Sequence, residues 1–145
     1  MMQIVKRLDL QDALTLIEGA ATKATGINVP MCISVVDDGG HMIAFQRMEG
    51  GKILSVTLSD DKAYTAAISR KGTHEYNERC IPGNLVFGIH TSQRGRFSLV
   101  GGGLPIFQDE QVVGAIGCSG GMPEQDIECA QAGIDHWMAR MRVGQ

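Results

Sequence analysis

No stretch of this 145-residue chain approaches the roughly 18 to 20 apolar residues needed to cross a bilayer, so a membrane-spanning helix is excluded. The opening MMQIVKRLDLQDALTL lacks the apolar core of a secretory signal, and a cytoplasmic protein without a membrane partner is expected. Basic residues form no dense stripe. With 13 Lys and Arg against 16 Asp and Glu, a formal charge of −3, the chain has no phosphate-neutralising surface, and no nucleic-acid partner is expected. Cys32, Cys80, Cys118 and Cys129 include no CxxC pair, which removes the usual zinc-ligand spacing. Three of these cysteines sit in apolar segments, where a free thiol acts as a small hydrophobe. Low-complexity tracts, linkers and repeats are absent too. Residues 1–145 therefore read as one domain, long enough to bury about two-thirds of its unfolded surface.

Catalytic signatures are equally scarce. Ser119 in Cys-Ser-Gly-Gly does not match the GxSxG nucleophile elbow, and no Asp and His complete a triad around it. Asp37 and Asp38 sit in turn sequence, where their side chains bond local backbone. Asp126 and Glu128 fall in an early helical turn, where the macrodipole favours acids. No catalytic residue is assigned, and no nucleotide cofactor is expected.

Glycine, by contrast, is abundant: 19 residues, seven of them between Ser98 and Gly121 in SLVGGGLPIFQDEQVVGAIGCSGG. Glycines repeated inside strand-like sequence imply tight bends or close approach of another group. That group is a ligand, a neighbouring strand or another subunit.

Local patterning sets out the elements. Asp9 and Asp12 form an N-cap and first-turn acid, followed by Leu10, Ala13, Leu14, Ile17, Ala20, Ala21 and Ala24 at helical spacing up to Gly26. Met31–Val36 and His41–Arg47 flank Asp-Asp-Gly-Gly as a hairpin, with Met42, Ala44 and Phe45 as core candidates. A second helix is expected from Ser55 to about Arg70, capped by Ser55 or Ser59, its Ala63, Ala66 and Ala67 allowing close packing. Lys71–Arg96 is ambiguous, because Ile81-Pro82-Gly83-Asn84 interrupts it and Leu85–Ile89 suits either strand or helix. Phe97–Val100, Leu104–Gln108 and Val112–Ser119 are strand candidates whose connections are too short for parallel crossovers. Pro123 opens a last helix with Ile127, Ala130, Ile134, Trp137 and Met141 on its inward face. The sum is an α+β layout with helices on an antiparallel sheet.

Four blocks carry a family resemblance: VVDDGGHMIAFQRMEGG at 35–51, SDDKAYTAA at 59–67, GGGLPI at 101–106 and VVGAIGCSGGMPEQDIECAQAG at 112–133. Together they resemble the GlcG/HbpS-like, or haem-degrading domain, proteins, which include the C-terminal domain of PduO-type corrinoid adenosyltransferases. The resemblance implies a profilin-like fold, a five-stranded antiparallel sheet flanked by helices, and self-association into dimers and octamers. It also implies binding of a tetrapyrrole, haem or corrinoid, by a small accessory protein of glycerol, propanediol or glycolate utilisation. Adenosyltransferase activity does not carry over, because the separate ATP-using domain has no counterpart here.

A tetrapyrrole needs an apolar slot, polar or cationic groups for its periphery and, optionally, an axial ligand. The imidazole candidates are His41, His74 and His90, with His136 on the last helix beside Trp137. Arg47 and Lys62, in or beside the matching blocks, are the first cations to consider, ahead of Arg94 and Arg96. For each of them the simpler explanation is a surface charge or an intersubunit pair. Gly101, Gly102 and Gly103 form either an anion nest or a plain strand connection. Ser119, Gly120 and Gly121 lead into a helix N-terminus that either favours an anionic group or is satisfied by its own caps. Two other functions compete with tetrapyrrole binding: an enzyme acting on a small hydroxy acid or aldehyde, and an oligomeric assembly module without ligand.

Overall fold

A computed structural model describes residues 1–144. Helix α1 (Leu10–Gly26) is followed by strands β1 (Cys32–Asp37) and β2 (Met42–Arg47), then helix α2 (Ile53–Ser69). Three short 3-10 turns, Thr73–Tyr76, Ile89–Thr91 and Gln93–Gly95, lead to β3 (Gly103–Gln108), β4 (Gln111–Ser119) and α3 (Pro123–Val143). The strands form one antiparallel sheet in the order β2-β1-β4-β3.

Local chemistry accounts for most element boundaries. Asp9 Oδ1 accepts the Asp12 N–H at 2.8 Å while Asp12 Oδ2 accepts the Asp9 N–H at 2.9 Å, a capping box at the start of α1. Asp37 Oδ1 accepts the Gly39 and His41 N–H groups and so tightens the β1–β2 loop. Asp109 and Glu110, at φ 52° and 66°, make the two-residue turn between β3 and β4.

The α+β class stands, but the sheet has four strands and not five. The missing strand is Phe97–Val100. Its Ser98 N–H donates to Thr65 Oγ1 at 2.9 Å instead of to a ladder, and Phe97 packs edge-on against Tyr76 at 4.9 Å between ring centroids. A side-chain acceptor on α2 thus replaces a strand partner. Helix α2 also begins earlier than expected, with Lys52 at its N-cap and no side-chain cap bond. Ser55 and Ser59 face the sheet: Ser119 Oγ donates to Ser55 Oγ at 2.9 Å, and the Ser34 and Ser59 hydroxyls lie 2.8 Å apart.

Both faces of the sheet are covered. Ile33, Val35, Ile116 and Cys118 point into a core with Ala13, Leu16, Ile17, Ala20 of α1 and Ala130, Trp137 of α3. Alternate positions Val36 and Ala115 meet Ala63, Ala66 and Ala67 of α2. Gly117 lies beneath α2, where an added Cβ would collide with the Ser59 carbonyl and come within 2.7 Å of the Ala63 nitrogen. Absence of a side chain here lets the helix rest on the β4 backbone.

Candidate functional site

A cleft of about 490 Å³ opens where the approach to β3 meets the start of α3. Its wall is built from Val100, Gly101, Pro123 and Ile127, and His74, Glu75, Glu78 and Glu124 stand at its rim. The turn that carries His74 is held from several sides. Buried Thr73 accepts the Gly103 N–H at 3.1 Å, Glu75 Oε2 accepts the Gly72 N–H at 2.8 Å, and Asn77 Nδ2 donates to the Leu99 carbonyl at 3.4 Å. Gly101 forms the floor between two side chains. An added Cβ would lie 2.9 Å from Ile127 Cδ1 and 3.3 Å from His74 Cβ.

Of the residues singled out from the sequence, the fold brings His74 and Gly101 together in this cleft. Gly102 and Gly103 are buried just behind it, and their polar groups are engaged: the Gly102 carbonyl accepts the Cys118 N–H at 2.9 Å, and the Gly103 N–H bonds Thr73. What approaches this glycine run is the protein itself. A Cβ on Gly102, whose φ is +133°, would lie 2.8 Å from Lys62 Nζ and would strike the Cys118 carbonyl.

Lys62 is wholly buried at 0 % exposure. Its Nζ donates to Asp126 Oδ2 at 2.8 Å and to the Cys118 carbonyl at 3.0 Å. The other carboxylate oxygen, Asp126 Oδ1, accepts the Gly121 N–H at 2.9 Å, and Gln125 Oε1 accepts the Met122 N–H. The two N–H groups just ahead of α3 are thereby engaged by its own side chains. Ser119 is buried against Ser55, and Gly120 backs onto Pro30 and Met31.

The remaining candidates lie apart from the cleft. Arg47 is exposed at the end of β2, the opposite edge of the sheet from β3. His41 is exposed beside Asp37, with Nδ1 3.3 Å from Oδ1. His90 meets Cys80, and His136 faces Glu18 across α1 and α3 at 3.4 Å. Arg96 forks onto Asp60 and Asp61 at 3.3 and 3.0 Å and lies 3.9 Å above the Tyr64 ring centroid. Arg94 is exposed. Burial raises the Asp60 carboxyl above its ordinary value, and Arg96 partly offsets this.

Sequence reasoning missed the acidic rim of Glu75, Glu78 and Glu124 and the partnership of Lys62 with Asp126. No local periodicity links those residues, and Lys62 and Asp126 each sit among other charged side chains that hide the pair in the sequence. A larger hollow of about 580 Å³, lined by Ile4, Asp38, Arg70 and Glu110 among others, contains no histidine and none of the residues considered as ligand contacts. Among the described residues no helix is long and apolar enough to cross a membrane, and no cluster of three metal-binding side chains occurs.

Residues 8–135 match the family described as haem degrading protein HbpS-like. An uncharacterised 15.0 kDa protein from the dhaT-dhaS intergenic region of Citrobacter freundii is 38% identical over 133 residues, covering 92% of this chain and 94% of that protein. The corrinoid adenosyltransferase PduO of Salmonella typhimurium is 32% identical over 127 residues, which span 88% of this chain but 38% of PduO. Among solved structures, a PduOC:heme complex superimposes with a TM-score of 0.86 at 32% identity, covering 90% of this chain and 94% of that one.

Proposed function

Because the chain belongs to the HbpS-like family, we propose that it binds haem as a small cytoplasmic accessory protein, with the cleft beside Gly101 as the ring site and His74 as the axial ligand. The observation that carries this reading is exposed His74 lining a cleft with Val100, Pro123 and Ile127. Its volume of about 490 Å³ falls within the ~300–1,000 Å³ of small-molecule sites. Haem held there would bring an iron centre whose redox behaviour depends on axial ligand and burial. His74 would hold the iron, and the glycine floor would let the ring approach the backbone. The solved haem complex of a similar domain supports the same ligand class.

A second ligand is favoured by one feature of the rim. Glu75, Glu78 and Glu124 line the cleft, and no Lys or Arg does. Carboxylates repel haem propionates but accept hydrogen bonds from the amide side chains of a corrinoid. The kinship with part of a corrinoid adenosyltransferase points the same way, and a role in glycerol, propanediol or glycolate utilisation belongs to the same proposal. Self-association into dimers and octamers also belongs to this proposal. Both outer strands, β2 and β3, leave a free edge that a second copy would cover.

Titrating the apo-protein with hemin and, separately, hydroxocobalamin decides between these ligands. A saturable spectral shift near one ligand per chain identifies the ligand, and its loss in His74→Ala places it in the cleft. Linear responses to both compounds would remove tetrapyrrole binding altogether.

A further inference from the structure

Cys80 is the one cysteine with any exposed surface, 8 % against 0 % for Cys32, Cys118 and Cys129. It lies at the end of the turn after Tyr76, its N–H donating to the Tyr76 carbonyl at 3.0 Å. The 3-10 turn Ile89–Thr91 brings His90 back over it, with Sγ and Nδ1 3.1 Å apart. His90 is exposed, and the Phe87 ring stands 6.1 Å from the imidazole. Ile81, next to Cys80 in the chain, and Phe87 are exposed apolar side chains. This is a nucleophile with a base in hydrogen-bond reach, the thiol mostly covered at 8 % exposure and the imidazole exposed, and neither residue belongs to the tetrapyrrole cleft.

We propose that Cys80 and His90 form a reactive thiol site that undergoes exchange with low-molecular-weight disulfides. Nδ1 takes the thiol proton as Cys80 Sγ attacks one sulfur of the incoming disulfide. The Cys80–S–S–R bond forms as the original S–S bond breaks, and the departing thiolate leaves as a thiol after receiving the proton from His90. One disulfide and one thiol are consumed, and one mixed disulfide and one thiol are produced, so no further oxidant is needed. The other cysteines lack this chemistry: burial pushes the Cys32 and Cys118 thiols above their ordinary range and Cys129 up to about 11. Exchange at Cys80 also takes the thiol out of the Sγ–Nδ1 contact that joins the turn after Tyr76 to the turn carrying His90.

The test is reaction of the native protein with dithiodipyridine, an uncharged aromatic disulfide, following release of the pyridinethione. One equivalent per chain is expected, mapped to Cys80 by mass spectrometry of the wild-type protein. Cys80→Ser should release none until denatured. His90→Gln retains a hydrogen-bonding side chain without a titratable base, and its rate should fall at least ~10-fold while its circular dichroism is unchanged. The site is refuted if the native chain releases nothing, if the modified peptide contains another cysteine, or if His90→Gln reacts at the wild-type rate.

Discussion

Lys62 on α2 and Asp126 on α3 form an ion pair at 2.8 Å with side-chain exposures of 1% and 3%. The pair passes beside the bare Cα of Gly102 and holds the Cys118 carbonyl of β4 in the same network. Asp126 in turn holds the Gly121 N–H, so a single carboxylate on α3 joins α2 to the loop that follows β4. Two desolvated charges are stabilising only while each has the other and its hydrogen bonds remain satisfied.

Removing one member leaves the other buried and unpaired. Lys62→Met or Asp126→Asn should each cost ~3–5 kcal/mol, read as the shift in urea-unfolding free energy near neutral pH. The double replacement with Met and Leu should recover much of that loss. Additive losses in the double variant would show that the pair is not coupled.

Alanine at Gly117 should destabilise more than alanine at most exposed positions, by ~2 kcal/mol or more. Its methyl would meet the Ser59 carbonyl and the Ala63 nitrogen, backbone atoms that move only if α2 lifts from the sheet. Thermal unfolding of Gly117→Ala against Gly83→Ala makes the comparison, because a Cβ at Gly83 meets nothing within 4 Å. Gly83 does have φ +96°, so its variant controls for ordinary backbone strain without a collision.

Asp12 serves two elements. Its Oδ2 closes the α1 cap and its Oδ1 accepts the indole N–H of Trp137 at 3.0 Å. Asp12→Ala should cost ~2 kcal/mol, combining a lost cap with an unpaired indole N–H. The chain has one tryptophan, so a changed native emission spectrum would report the same loss directly.

Alkaline stability should fall between about pH 9 and about pH 11. Burial raises Cys129 from an ordinary 9.0 to about 11, so in this window the unfolded thiol releases its proton while the folded one retains it. The unfolded state then binds fewer protons, and unfolding free energy decreases as pH rises. Cys129→Ala should show a smaller drop in urea midpoint from about pH 8 to about pH 10.5 than the wild type. Equal drops would remove Cys129 from the explanation.

His74→Ala should abolish the saturable hemin or corrinoid shift, whereas Arg47→Ala should leave it unchanged. Arg47 ends the strand at the far edge of the sheet, with β1 and β4 between it and β3. Loss of binding in Arg47→Ala with retention in His74→Ala would move the proposed site to the β1–β2 edge.

The cap of α1, the β1–β2 hairpin and the Pro123 start of α3 were legible because each depends on residues a few positions apart. Phe97–Val100 looked equally strand-like, yet its backbone found Thr65 as a partner. Lys62 was read as a ligand cation and Asp126 as an acid favoured by a helix dipole, since neither segment alone reveals the other's approach.

By itself, the sequence determined the kinds and order of the helices and most of the strands, along with the small faces that let α2 lie close to the sheet. Periodicity, caps and turn chemistry act over short chain distances, so their energies can be read locally. Tertiary structure alone decided which polar groups meet: Lys62 with Asp126 across 64 positions, Ser34 with Ser59, and Cys80 with His90. It also placed His74 beside Gly101. Such pairings depend on how separate elements dock, and burial then makes each partner's absence costly.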